Sequence, residues 1–141
     1  MIPQRAAAVI VQNGKILLMH RIKDGQEYFS LPGGTVESGE LPEQTVIREL
    51  QEEFTIDIVI DRFLFDGVSM GKHGYYYLVK EFSGTPTLGG EEKRIMTEHN
   101  QFHPVWKLLS ELRDLQNLYP EDMRLKVADI LDKEYASQHS R

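Results

Sequence analysis

Apolar residues, many of them β-branched, fill the segments Arg5 to Gln12 (RAAAVIVQ) and Lys15 to Arg21 (KILLMHR), and Asn13-Gly14 separates the two. An Asn-Gly pair between apolar runs supplies the left-handed conformations of a tight turn, so the pattern predicts a β-hairpin. Lys23 to Glu27 is polar and predicts a loop. From Tyr28 the chain runs as YFSLPGG into Pro32-Gly33-Gly34, a turn signal whose glycines also permit close approach of another group. At Pro42 the period changes. Val46, Ile47, Leu50 and Phe54 recur at intervals of three and four, which predicts an amphipathic helix with Pro42 in its first turn. Leu41 carries no capping oxygen, which leaves the helix start open by a couple of residues. Ile56 to Phe65 and Tyr75 to Phe82 have the β-branched and aromatic content of strands, with a turn between Gly67 and Gly74. The stretch 84–98 predicts a long loop, Phe102 to Trp106 a strand, Leu108 to Leu115 a short helix, and Pro120 to Tyr135 a terminal helix with Met123, Val127, Ile130 and Leu131 inward.

Strands that alternate irregularly with helices, one hairpin among them, predict an α/β (α+β) domain with a mixed sheet and helices packed against it. At 141 residues one domain, 1–141, is expected. The composition, 40% hydrophobic and 27% charged without a long apolar run, predicts a cytoplasmic protein with no membrane partner. The absence of cysteine excludes disulfides, thiolate metal sites and a cysteine nucleophile. With 22 acidic against 16 basic side chains and a net charge of -6, a broad grip on nucleic acid is not expected. An acidic protein still binds polyphosphates where divalent metals bridge the negative groups, so the placement of the carboxylates decides the matter.

Glu49, Glu52 and Glu53 stand at i, i+3 and i+4 of the predicted helix and share one face. Each like-charge pair costs roughly 0.2 to 0.5 kcal/mol, a penalty that solvent absorbs on an ordinary acidic face and that a divalent cation turns into attraction. The surroundings favour the cation. Gly34, Glu40, Arg48, Glu49, Leu50, Glu52, Glu53 and Ile56 follow the spacing G-x5-E-x7-R-E-U-x-E-E-x-G-U, with Thr55 in place of the second glycine. Six fixed residues at set spacings arise by accident with a probability on the order of 10⁻⁵. The segment 34–56 therefore resembles the Nudix box, and the hairpin, Leu-Pro-Gly-Gly and Trp106 followed by Leu-Ser-Glu-Leu resemble the wider Nudix hydrolase family.

The resemblance implies a Nudix-type α/β/α sandwich with helices on both faces of a mixed sheet. It implies attack by water on a phosphorus of a nucleoside-diphosphate derivative, a nucleoside triphosphate or nucleotide sugar, with Mg²⁺ or Mn²⁺ as cofactor. Glu49, Glu52, Glu53 and the Gly33 carbonyl are the implied metal ligands. Glu53 is the first choice for the base and Glu98, in the long loop, the alternative, with Glu91 and Glu92 competing for that role. Arg48 is expected to pair with Glu37 or another acid and so orient the loop against the helix, and Glu40 to support the site. Arg21 is a candidate for a substrate phosphate, and Tyr77, on a strand with Tyr75 and Tyr76, for stacking on a base. Thr55 should accept about 1 to 2 kcal/mol of left-handed strain or end the helix differently. An ADP-ribose or dinucleoside polyphosphate substrate, a nucleotide-sensing module without hydrolysis, and a homodimeric assembly stay open at this point.

Overall fold

The computed structural model describes residues 2–139. Strands β1 (Gln4–Val9) and β2 (Val11–Gln12) replace the single first strand, because the chain leaves one sheet and joins another at Ile10, whose carbonyl accepts the Leu17 N–H at 3.0 Å. The Asn13-Gly14 turn, with both residues at positive φ, leads into β3 (Lys15–Lys23). The polar segment expected as a loop closes as a second tight turn at Asp24-Gly25, again both left-handed, and β4 (Gln26–Ser30) follows. Pro32-Gly33-Gly34 is not a turn. Gly33–Thr35 forms a short strand, β5, antiparallel to β1, because a Cβ at Gly33 would collide with the Ala6 carbonyl and the bare backbone lies flat against that strand.

Helix α1 (Pro42–Phe54) starts at the proline, and the Gln44 side chain accepts the Leu41 N–H at 2.8 Å in place of a capping residue. Val46, Leu50 and Phe54 are buried as expected, whereas Ile47 is exposed and Thr45 buried in its stead. Strands β6 (Asp57–Ser69) and β7 (Lys72–Ser83) run further than their apolar content predicts and meet at a two-residue turn, Met70-Gly71, with positive φ at both. Within the expected long loop, Gly90–Ile95 forms the short helix α2. β8 (Asn100–Leu108), a 3₁₀ turn at Leu109–Asp114 and helix α3 (Glu121–His139) complete the chain.

One sheet has the order β5-β1-β7-β6 and is mixed, since β1 and β7 are parallel; the other is antiparallel, with β3 between β8 on one edge and β2 and β4 on the other. Alternate residues of β1 feed two cores. Ala7 and Val9 pack with Met123, Val127, Ala128 and Leu131 of α3, while Ala6 and Ala8 pack with Val46, Leu50 and Phe54 of α1. Helices thus cover both faces, as the α/β (α+β) expectation had it, with Ala128 inward on α3 where Ile130 was expected. Among the described residues no helix is long and apolar enough to cross a membrane.

Candidate functional site

Helix α1 presents its acids where β5 meets it. A Cβ at Gly34 would strike the Glu49 carboxylate, so this glycine is what lets the helix carry an acid against the strand. Arg48 gathers the cluster. Its Nε and Nη2 donate to the two Glu40 carboxylate oxygens at 2.7 and 3.0 Å, its Nη1 to Glu49 at 3.0 Å and Glu52 at 3.2 Å, and Glu37 lies 3.6 Å away. Nη2 also reaches the Thr35 carbonyl at 3.3 Å, so the residue ties β5 and the loop before α1 to the helix.

The electrostatics follow from this geometry. The Arg48 hydrogen bonds, with a further one from the Thr45 hydroxyl at 2.6 Å, hold the Glu40 carboxyl down at about 2, and Glu40 in turn holds the Arg48 guanidinium above its ordinary value. Burial pushes Glu49 up; Arg48 opposes the shift, and the charges of Glu53 and Glu52 add to it. Burial therefore makes the charged form of this acid costlier than it is in water, and positive charge beside it favours that form.

Glu53 is buried, and a Cβ at Gly90 would lie 2.6 Å from its Oε1, so the start of α2 closes over this carboxylate. Among the described residues no three or more His, Asp or Glu side chains are gathered as a ready metal-ligand set. Glu49 and Glu52 instead turn oxygens to Arg48. The donor chemistry nonetheless fits a hard divalent cation: the three carboxylates of Glu49, Glu52 and Glu53 lie at i, i+3 and i+4 of α1, beside the glycine backbone of β5.

Gly33 and Glu53 line a hollow of about 130 Å³. It shares Arg5, Arg21, Tyr28 and Ser30 with an adjoining cleft of about 280 Å³ that extends to Lys72, Tyr76 and Tyr119. Arg21 is thus placed beside the acids, its guanidinium 4.7 Å from the Phe102 ring and 5.7 Å from Tyr28, its buried Nε without a hydrogen bond. Tyr77 is not in the cleft. It faces the α1 core and packs edge-on against Phe63, and the neighbouring Tyr76, one position along β7, lines the cleft instead. Glu98 is exposed in the turn before β8, and neither a hydrogen bond nor an ion pair joins it to the acids of α1; the side chains of Glu91 and Glu92 lie outside the described residues.

Three features of the site had no clear local signal. Arg5 stands just ahead of the apolar run of β1, and that single charge on an inward-facing position is the only hint of its role. Burial pushes its guanidinium below its ordinary value, with Tyr76 and Glu49 opposing the shift. Tyr119 comes from a loop remote in sequence, and the Gly89-Gly90 approach to α1 reads as ordinary loop composition.

The 8-oxo-dGTP diphosphatase of Haemophilus influenzae is 37% identical over 91 residues, 58% of this chain and 66% of that protein. The 8-oxo-dGTP diphosphatase of Escherichia coli is 31% identical over 81 residues, 53% of this chain and 63% of its own length. The chain thus matches just under two thirds of the length of these curated relatives. A crystal structure of a MutT NUDIX hydrolase from Burkholderia pseudomallei superposes with a TM-score of 0.67 at 26% identity, over 88% of this chain and 95% of that one. The NUDIX domain model matches residues 2–124, and with the acid helix, its arginine and the glycine strand in place, the chain belongs to the NUDIX domain family.

Proposed function

We propose that this protein hydrolyses a diphosphate linkage in a nucleoside-diphosphate derivative, with a nucleoside triphosphate as the substrate class. The observation that carries the reading is a pair of adjoining hollows, one lined by the buried Glu53 and Gly33 and the other by Lys72, Tyr76 and Tyr119, with Arg5, Arg21, Tyr28 and Ser30 lining both. Together they offer the Glu53 carboxylate beside the other acids of α1, and cations and rings where a nucleotide needs them. The names of the two curated relatives support the same reading.

Glu49, Glu52, Glu53 and the Gly33 carbonyl would hold the divalent cation, Mg²⁺ or Mn²⁺. When bound, that ion supplies neutralising charge for the phosphates and makes water a better nucleophile at neutral pH. Glu53 is the base we assign. Its enclosure by α1, β5 and the start of α2 fixes the carboxylate and limits water around it, so that it takes a proton from the attacking water in one orientation. Arg48 positions Glu49 and Glu52 through its forked contacts and holds the preceding loop in register through Glu40. Arg21, which lines both hollows with its guanidinium over the Phe102 ring, binds a phosphate of the substrate. A cytoplasmic location and a single domain over 1–141 belong to the same proposal.

The test is turnover of nucleoside triphosphates with Mg²⁺, with Mn²⁺ and with chelator. Metal-dependent release of pyrophosphate or phosphate is expected from the wild type. Glu53→Gln should reduce kcat by at least about 10²-fold, at the low end of what a positioned base contributes, with an unchanged far-UV spectrum. A Glu53→Gln protein as active as the wild type would remove Glu53 from the mechanism; nucleotide binding without turnover in the wild type would make the chain a sensing module.

A further inference from the structure

Beyond the phosphates, the cleft has a chemical bias of its own. Among the described residues, no carboxylate or side-chain amide lines the larger hollow, whereas Arg5, Arg21, Lys72 and the hydroxyls of Ser69 and Tyr76 do. In a chain of net charge -6 the concentration of donors there is a local construction. Arg5 is its centre. It is half-buried at the start of β1 and spends one hydrogen bond on the Leu31 carbonyl at 2.8 Å, which fixes one arm of the guanidinium and leaves the rest of the fork uncommitted. Beside it the paired strands β6 and β7 carry Gly67 opposite Gly74, and the Tyr76 ring lies over Gly74, where a Cβ would come within 2.7 Å of the phenol hydroxyl. Tyr28 and Tyr119 stand edge to face at 6.4 Å at the rim. The Tyr76 ring laid over Gly74, the Tyr28 and Tyr119 edges and an anchored donor fork suit a planar group that presents acceptors, more than a second phosphate.

Resting on the nucleotide reading above, we propose that Arg5 is a specificity-determining residue that reads two adjacent acceptors on the substrate's base, the O6 and N7 edge of guanine. A guanidinium donates only. It matches O6 and N7 together, whereas adenine offers a donor amino group beside N7, and 8-oxoguanine carries a hydrogen on N7 that opposes the donor. The chain therefore favours the unoxidised base over the 8-oxo form for which its two curated relatives are named.

Calorimetric titration with dGMP, dAMP and 8-oxo-dGMP, without metal, reads the cleft independently of turnover. The wild type should bind dGMP roughly 5- to 150-fold more tightly than either of the others, the range of one bidentate base contact. Arg5→Gln should bring the three affinities together, and Arg5→Lys, which keeps the charge and loses the fork, should narrow the ratio as well. Equal binding of the three by the wild type overturns the proposal, a comparison that stands even if both variants fail to fold. A common loss of affinity for all three in a folded Arg5→Gln protein also overturns it, and assigns Arg5 to the phosphate. Discrimination without hydrolysis of dGTP in Mg²⁺ would sink the hydrolase reading and leave this one standing; hydrolysis without discrimination would do the reverse.

Discussion

The pairing of Glu40 with Arg48 gives a single residue a pH signature. A carboxyl held at about 2 in the folded protein, against about 4.5 in the unfolded chain, contributes stability that is fully present above the higher value. As the pH falls toward the lower value the contribution is lost, because the unfolded state takes up the proton first. Glu40→Gln should therefore be less stable than the wild type at pH 7, and the gap in urea midpoint should close between about pH 4.5 and pH 2. A gap that is constant down to pH 2 would mean that Glu40 acts through shape and not through its charge. Glu49, displaced upward by burial, has the opposite sign: its charged form is the strained one. The two acids, nine residues apart, thus shift in opposite directions: two Arg48 bonds hold Glu40 down, while burial raises Glu49 against the single bond that Arg48 gives it.

At the scale of elements, the C-terminus of α1 shows how the fold replaces a missing glycine. Thr55 takes the left-handed conformation, φ 56°, and the Ile56 N–H returns to the Leu50 carbonyl at 3.2 Å. The segment before α2 then covers the helix end. Thr87 and Gly89 donate backbone N–H groups to the carbonyls of Phe54 and Glu53 at 3.0 and 2.8 Å, and the Thr55 and Thr87 hydroxyls meet at 2.5 Å. Thr55→Ala keeps the strain and loses the hydroxyl contact, while Thr55→Gly loses the contact and relieves the strain. The glycine variant should be the more stable of the two by about 1 kcal/mol in thermal unfolding, and the reverse order would show that the strain is relieved by other means. This joint also marks what the sequence could convey. The acid helix, its proline start and the Asn13-Gly14 hairpin were legible because each is a local pattern of a few residues. The turn between β6 and β7 was placed only to within Gly67 to Gly74, since methionine gives no turn signal to single out Met70-Gly71, and Gly33-Gly34 read as a turn when their bareness serves strand β5 against β1 and Glu49. The cleft was least legible of all. Arg5, Tyr28, Tyr76 and Tyr119 come from four separate segments, and only the pairing of strands brings them together.

Over the whole molecule, the two sheets share both cores, and this decides how the protein unfolds. The core under α1 joins Ala6, Ala8, Tyr77 and Val79 of the mixed sheet to Leu17, Met19 and Phe102 of the antiparallel one. The core under α3 joins Ala7, Val9, Tyr76 and Leu78 to Ile16, Leu18 and Phe29. Neither sheet can leave without exposing apolar surface on both faces of the other, and the β1–β2 junction at Ile10 passes the chain directly between them. A single cooperative transition is therefore expected. Trp106, the only tryptophan and a member of the antiparallel sheet, should lose its native fluorescence at the same urea concentration at which far-UV dichroism reports loss of the remaining structure. Leu17→Ala, in the antiparallel sheet, and Leu78→Ala, in the mixed one, leave cavities in different cores and should each cost about 2 to 5 kcal/mol. Each should move both probes together. A Leu78→Ala protein whose Trp106 midpoint stays at the wild-type value while the dichroism midpoint falls would show two independently stable sheets, and the cleft between them would then be a hinge instead of a preformed site.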